Sequence, residues 1–252
     1  MKAPTLGIFI PAYNAGSTLG SVLQRIPSEL WASIQIVIVI DDGSRDSTVL
    51  VTREFSLNEP KILLHSFEKN RGYGAAVRYG LKACREGGCD IAVCLHSDGQ
   101  YPPERIAEFA DQMRRNDVDI LQGSRHLDGR ARAGGMPLYK IVAGKALTRL
   151  ENICLGHRLT DPHSGFLLYS RRALENIPFD RLSGYFDFDL EAIASALALG
   201  LRVEELAIPA HYAGEQSYLN PLRYGLHALR VAARYRSGYY RRLASIQEPI
   251  NV

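Results

Sequence analysis

Two adjacent carboxylates, Asp41 and Asp42, end the β-branched run in IQIVIVIDDGSRDST (34–48). A carboxylate accepts hydrogen bonds or meets a cation, and an apolar core offers it neither. In open α/β sheets the ligand crevice lies beyond the carboxyl ends of the strands, so a pair placed there stands where a ligand arrives. The same residues also suit a plain turn, because Asp before Gly-Ser is ordinary turn chemistry and Asp46 with Ser47 could cap the next helix. Three more strand ends carry polar or glycine-rich loops: PAYNAG (11–16), NRGYGAA (70–76) and HSDGQYPPE (96–104). Their recurrence makes coincidence the poorer account. Gly72 and Gly74 would let backbone approach a ligand closely, and Arg71 beside them could meet an anion. The loop is not a dinucleotide fingerprint, since GYGAAV lacks the third glycine, and no Walker-type Lys-Ser/Thr follows.

The elements that must hold these loops follow from periodicity. Short β-branched runs (LGIFI, IQIVIVI, KILLHS, IAVCLH, VDILQG) alternate with helical patterns over 17–26, 45–54, 74–86 and 103–115. This order predicts βαβ units, an open doubly wound parallel sheet with helices on both faces. A less regular second half predicts a helix over 138–155, a strand GFLLYS, a helix over 188–199 and a strand LRVEELAIP, after a glycine-rich break at RARAGGMP. With 252 residues and 46% hydrophobic composition the chain can bury a large core, and a net charge of +3 is too weak a bias for nucleic-acid binding. Cys84, Cys89, Cys94 and Cys154 fit no CxxC pattern and read as reduced thiols of a cytoplasmic protein. The first residues are too short in apolar character for a signal peptide, and no stretch approaches a bilayer span.

The series IPAYNAGSTL, VIVIDDGSRDST, NRGYGAAVRYG, LHSDGQYPPE, QGSR and TDPHSGF resembles the inverting GT-A glycosyltransferases of family 2, most closely the dolichol- and polyprenyl-phosphate branch. The match runs in the expected order over roughly residues 5 to 210. The resemblance implies a GT-A fold, with a Rossmann-like, mostly parallel sheet and helices on both faces. It also implies a UDP- or GDP-sugar donor and a Mn²⁺ or Mg²⁺ ion on the diphosphate. By that resemblance Pro11, Tyr13 and Asn14 border the base and ribose, and Asp41 accepts from the base edge. Asp42, Arg71, Gly72 and Ser97 complete the donor cradle. HSDGQ stands for the family's Asp-x-Asp metal motif with His96 in place of the first Asp; Asp98 and Gln100 are the matched ligands. His96 either joins them or only orients Asp98. Arg125 matches an arginine that contacts phosphate near the reacting centre, while Arg130 and Arg132 either add to it or are solvated. Asp161 and Ser164 line the acceptor side; His163, where relatives carry a smaller polar residue, either alters acceptor choice or lies on the surface.

An anionic phosphate acceptor needs no base, whereas a sugar hydroxyl must lose its proton to a carboxylate. YFDFDLE supplies Asp187, Asp189 and Glu191, near the place where, by the same resemblance, relatives that glycosylate a hydroxyl carry that base. Asp187 and Asp189 alternate as on an extended segment, and Asp189 is the expected base, with helix capping as its plain alternative. The expected organisation is a catalytic domain over 1–217, with its nucleotide-sugar half about 1–125 and acceptor half about 126–217, and a basic tail over 218–252. From Tyr218 to Arg242 the tail carries six arginines and five tyrosines and no acidic residue. One helix after Pro221 with an apolar stripe of Leu222, Leu226, Leu229, Val231 and Ala233 would suit peripheral contact with the cytoplasmic membrane face, or docking on the domain or on a second subunit of a homo-oligomer. The leading acceptor is a polyprenyl phosphate; a hydroxyl on a soluble glycan, and a nucleotide-sugar sensor without turnover, are the rivals.

Overall fold

The computed structural model describes residues 4–127, 138–209 and 221–246, with backbone alone at 138–143, 145–146 and 221–223. Its first half follows the alternation: β1 (Leu6–Ala12), α1 (Leu19–Gln24), β2 (Ile34–Asp41), α2 (Thr48–Asn58), β3 (Ile62–Ser66), α3 (Tyr73–Glu86), β4 (Ile91–Cys94), α4 (Ile106–Asn116) and β5 (Ile120–Ser124). Then come α5 (Leu138–Leu155), β6 (Leu167–Ser170), α6 (Arg171–Asn176), α7 (Phe188–Ala198), β7 (Val203–Ala207), α8 (Pro221–Arg236) and α9 (Tyr239–Ser245). The sheet has seven strands in the order β3-β2-β1-β4-β6-β5-β7.

Period-two alternation divides the core between the two faces of the sheet. Leu6, Ile8, Ile10, Val37 and Val39 pack with Leu19, Val22, Phe109 and Met113 of α1 and α4. Phe9, Ile38 and Ile40 point the other way, onto Val77 and Leu81 of α3 and toward Leu190 and Ile193 of α7. Strands buried on both faces read as unbroken apolar runs, which is why IQIVIVI shows no polar alternation.

One strand departs from the parallel expectation. GFLLYS forms β6, antiparallel to both β4 and β5. Because β6 runs backwards, the loop that precedes it, TDPHSGF, arrives at the same sheet edge as the loops that follow β1, β2, β4 and β5. The capping expectation holds for one of its two residues: Ser47 makes no cap bond, while Asp46 accepts the N–H of Thr48, the first residue of α2, at 3.0 Å and that of Gly16 at 2.8 Å.

The tail is two helices rather than one, since Gly238 takes φ 72° and turns the chain between α8 and α9. Ala228, Val231 and Ala232 are buried, so the stripe faces the protein at Val231, whereas Leu226 and Leu229 point outward. A buried carboxylate of α7, Glu191, accepts from Arg234 Nη1 at 2.7 Å and Tyr240 Oη at 2.9 Å. Glu191 also accepts the Ser183 N–H at 2.6 Å. No described helix is long and apolar enough to cross a membrane.

Candidate active site

The strand ends converge through hydrogen bonds. At the end of β2 Asp41 accepts the Ser44 N–H at 3.1 Å, and Asp42 accepts those of Arg71 at 2.6 Å and Gly72 at 2.9 Å. Asp42 therefore spends both oxygens fastening the NRGYG loop to its own strand end. Burial raises its pKa against those two bonds. The Arg71 guanidinium lies over the Phe67 ring, 4.9 Å from its centroid. Asn14, at φ 51°, donates its backbone N–H to Ser44 Oγ (2.8 Å) and accepts the Arg45 N–H (2.9 Å). Pro11, next to last in β1, is half-buried, and Tyr13 just beyond the strand is exposed.

At the end of β4, Ser97 is buried and His96 half-buried. The His96 ring meets Tyr101 edge-on at 4.9 Å and brings Nε2 to 3.1 Å from Tyr73 Oη. Gly165 makes this approach possible: a Cβ there would overlap the imidazole. Desolvation, only partly offset by Asp98, lowers the His96 pKa. Tyr73 in turn donates to Asp189 Oδ2 at 2.7 Å. Asp189 does not alternate with Asp187 on an extended segment; Asp187 is the N-cap residue of α7 and Asp189 sits in the first turn. Only 7% exposed, it is pushed up to about pKa 7 by burial against the Tyr73 bond. Its Oδ1 has no partner among the described residues. Asp187 accepts from Ser183 Oγ at 2.7 Å and faces His227 Nδ1 at 3.2 Å, while Glu191 is committed to the tail.

After β5, Arg125 grips Asp161 in a fork, Nε to Oδ2 at 2.7 Å and Nη2 to Oδ1 at 3.1 Å. Burial pushes the Asp161 carboxyl up, and the guanidinium outweighs it, holding the pKa below the ordinary value. Glu205 from β7 accepts the Thr160 and Asp161 N–H groups at 2.6 and 2.9 Å. Ser164 is buried, and its carbonyl accepts from Gln122 Nε2 at 2.7 Å. His163 is not a surface residue: its Nδ1 is 2.9 Å from Tyr224 Oη of α8, and its Nε2 is 3.4 Å from Glu151 Oε2 of α5. Arg130 and Arg132 lie outside the described residues.

No set of three His, Cys, Asp or Glu side chains is gathered as a metal cage among the described residues. Asp98 turns Oδ1 onto the Gln100 N–H at 3.0 Å, and His96 Nε2 is engaged by Tyr73. The loop thus fits a hard cation with one carboxylate oxygen from Asp98 and the amide oxygen of Gln100, other ligands coming from diphosphate and water, as Mg²⁺ and Mn²⁺ accept. Residue spacing did not reveal Tyr73, Tyr101, Glu151 or Tyr224. Only Tyr73 had a local signal, its place between two glycines of a candidate ligand loop.

A family model, Glycosyl transferase family 2, matches residues 7–178. UDP-N-acetylglucosamine–dolichyl-phosphate N-acetylglucosaminyltransferase of Methanococcus voltae is 28% identical over 81% of this chain and 85% of its own. Polyprenol monophosphomannose synthase of Mycolicibacterium smegmatis is 27% identical over 80% and 75%. Glucosyl-3-phosphoglycerate synthase from Mycobacterium tuberculosis, solved with UDP, superposes with TM-score 0.65 at 20% identity, covering 97% of this chain and 82% of that one. At that identity the likeness concerns the fold alone, and it agrees with the α/β GT-A arrangement expected from the motifs. The match to the family model covers more than half of the sequence and spans the strand ends described above; the chain belongs to glycosyl transferase family 2 and is a glycosyltransferase.

Proposed function

We propose that this enzyme moves one sugar, with inversion, from a UDP- or GDP-sugar to a polyprenyl-phosphate-type lipid. The observation that carries the reading is the meeting at one sheet edge of the loops bearing Asp41, Asp98, Arg125 and Asp161, from β2, β4, β5 and the reversed β6. Relatives named for dolichyl or polyprenol phosphates support the acceptor class. Leu226, Leu229 and Arg230, exposed on α8, support peripheral contact with a membrane.

In this reading Asp41 receives a base N–H, with Pro11, Tyr13 and Asn14 beside it. Asp42 acts indirectly, by holding Arg71 and Gly72 against the donor. Asp98, with Gln100, would hold the divalent cation, which when bound supplies positive charge against the departing diphosphate. His96 orients the site through Tyr73 rather than ligating. Asp161 fixes the guanidinium plane of Arg125, so no reorganisation is needed as negative charge grows on the diphosphate. Asp161, His163 and Ser164 shape the acceptor side, His163 from behind the loop. Asp189, with a pKa of about 7, can stay protonated beside an anionic phosphate and so need not repel it.

The same carboxyl favours a second reading, transfer to a hydroxyl. With a pKa of about 7 it can exist as the carboxylate at neutral pH, and its buried Oδ1 has no hydrogen-bond partner among the described residues. Incubation with radiolabelled UDP- and GDP-sugars and either polyprenyl phosphate in detergent or soluble glycans decides between the two. Label entering the organic phase, with little loss in Asp189→Asn, supports the lipid phosphate. Label confined to the aqueous acceptor and abolished by Asp189→Asn overturns it.

A further inference from the structure

Through its side chain Tyr73 touches both His96, in the loop after β4, and the candidate base Asp189. It opens α3 immediately after Gly72, and its hydroxyl meets three partners: Asp189 Oδ2 at 2.7 Å, His96 Nε2 at 3.1 Å and Cys94 Sγ at 3.9 Å. A phenol has one proton. Given to the carboxylate, it leaves the oxygen able to accept from His96 in the tautomer that carries its proton on Nε2. The ring has little room to swing away. It stacks on Phe186 with centroids 5.5 Å apart and planes at 15°. Gly74 lets the Ser183–Gly184 backbone press against the start of α3, where a Cβ would stand 2.5 Å from the Ser183 carbonyl oxygen. Gly74 N–H donates to the Gly184 carbonyl at 3.1 Å. The segment leading into α7, which carries Asp189, is thereby tied to the loop that carries Tyr73.

We propose that Tyr73 is a positioning residue: its hydroxyl holds the Asp189 carboxylate in one rotamer through Oδ2 and favours its ionised form. The proposal rests on the hydroxyl-acceptor role of Asp189. In the step it serves, the acceptor O–H bond breaks, its proton passes to the Asp189 carboxylate, and its electron pair forms the new bond to the anomeric carbon as the bond to the diphosphate breaks. Tyr73 keeps its own proton throughout.

The remaining groups facing Asp189 do not titrate in the working range. Cys94 of β4, Tyr169 of β6 and Tyr224 of α8 are buried and interact with its charge, and burial raises each of them well above its ordinary pKa. The Tyr73 phenol is raised in the same way. A donated hydrogen bond favours the ionised carboxylate, so deleting it must raise the Asp189 pKa.

The test is Tyr73→Phe, which keeps the ring and its stack, beside Asp189→Asn. Two measurements are made: the pH profile of kcat/KM for transfer to a hydroxyl acceptor, and the ¹³C-carboxyl titration of Asp189, assigned by its absence in Asp189→Asn. The expected result is an acid limb and a ¹³C midpoint both moved up by about one pH unit, with donor KM within about twofold of the parent. An unmoved ¹³C midpoint in a folded Tyr73→Phe protein overturns the proposal, whatever the turnover. Retained transfer to the hydroxyl in Asp189→Asn instead overturns the base reading, and leaves the ¹³C measurement to judge Tyr73 by itself.

Discussion

Replacing Glu151 with Gln should make the protein more stable in mild alkali, and the size of the effect follows from its surroundings. Glu151 of α5 is 1% exposed, with neither oxygen hydrogen-bonded among the described residues. His163 Nε2 lies 3.4 Å from Oε2. Burial pushes the carboxyl up to about 8 from 4.5 and the imidazole down to about 4 from 6.5. Both are neutral in the folded protein near pH 7. The folded state therefore binds a proton at Glu151 that the unfolded state releases, and stability falls as pH rises from 4.5 toward 8. His163 works in the opposite direction between 6.5 and 4, where only the unfolded chain takes up its proton, so the two slopes oppose each other below 6.5. Between 6.5 and 8 Glu151 acts alone, and integration over that window gives a loss of about 1.5 kcal/mol. Gln cannot ionise. The difference in unfolding free energy between Glu151→Gln and the parent, from urea titrations at pH 6.5, 7.2 and 8.0, should grow by about that amount, while the Asp189 titration cancels between the two proteins. A difference that stays constant with pH refutes a buried neutral carboxyl.

Gly165→Ala drives a methyl group into the His96 ring and should cost about 1–3 kcal/mol of stability, read as a lower thermal midpoint, along with at least a tenfold loss of turnover. Arg234→Ala strips the buried Glu191 of its cation and should cost roughly 3 kcal/mol in denaturant titration. The double change Arg234→Met with Glu191→Leu should recover most of it. Removing divalent cations with EDTA should abolish transfer, Mn²⁺ or Mg²⁺ should restore it, and Asp98→Ala should resist restoration; full activity in EDTA would refute a metal-assisted departure of the diphosphate. Asp42→Asn should weaken nucleotide-diphosphate binding in calorimetry without a change in metal preference, since Asp42 acts through the Arg71 and Gly72 backbone.

Local chemistry made the first half of the fold legible. Runs such as IQIVIVI can only be strands buried on both faces, and the polar residues that end them can only lie at the sheet edge. The reversal of β6 was not legible, because a four-residue apolar strand reads identically in either direction; its sense depends on which neighbours it joins. Asp189 was singled out by the family resemblance, but its surroundings were not legible, since Tyr73 lies 116 positions earlier. His163 shows the same limit. A histidine in a turn-rich loop looks exposed until α5 and α8 close over it. The tail's composition drew attention to its arginines, yet Arg234 is explained by Glu191, whose partner is 43 positions away.

The junction of Glu191 with Arg234 and Tyr240 also constrains how the protein is made. While the ribosome is still adding α8, the carboxylate of α7 has no cation and the apolar side of that helix has no cover. The last turn of the core can close only after residue 240 has emerged. A nascent chain halted in the preceding stretch would carry a finished sheet with one uncompensated charge in its flank, a form suited to recognition by chaperones and proteases.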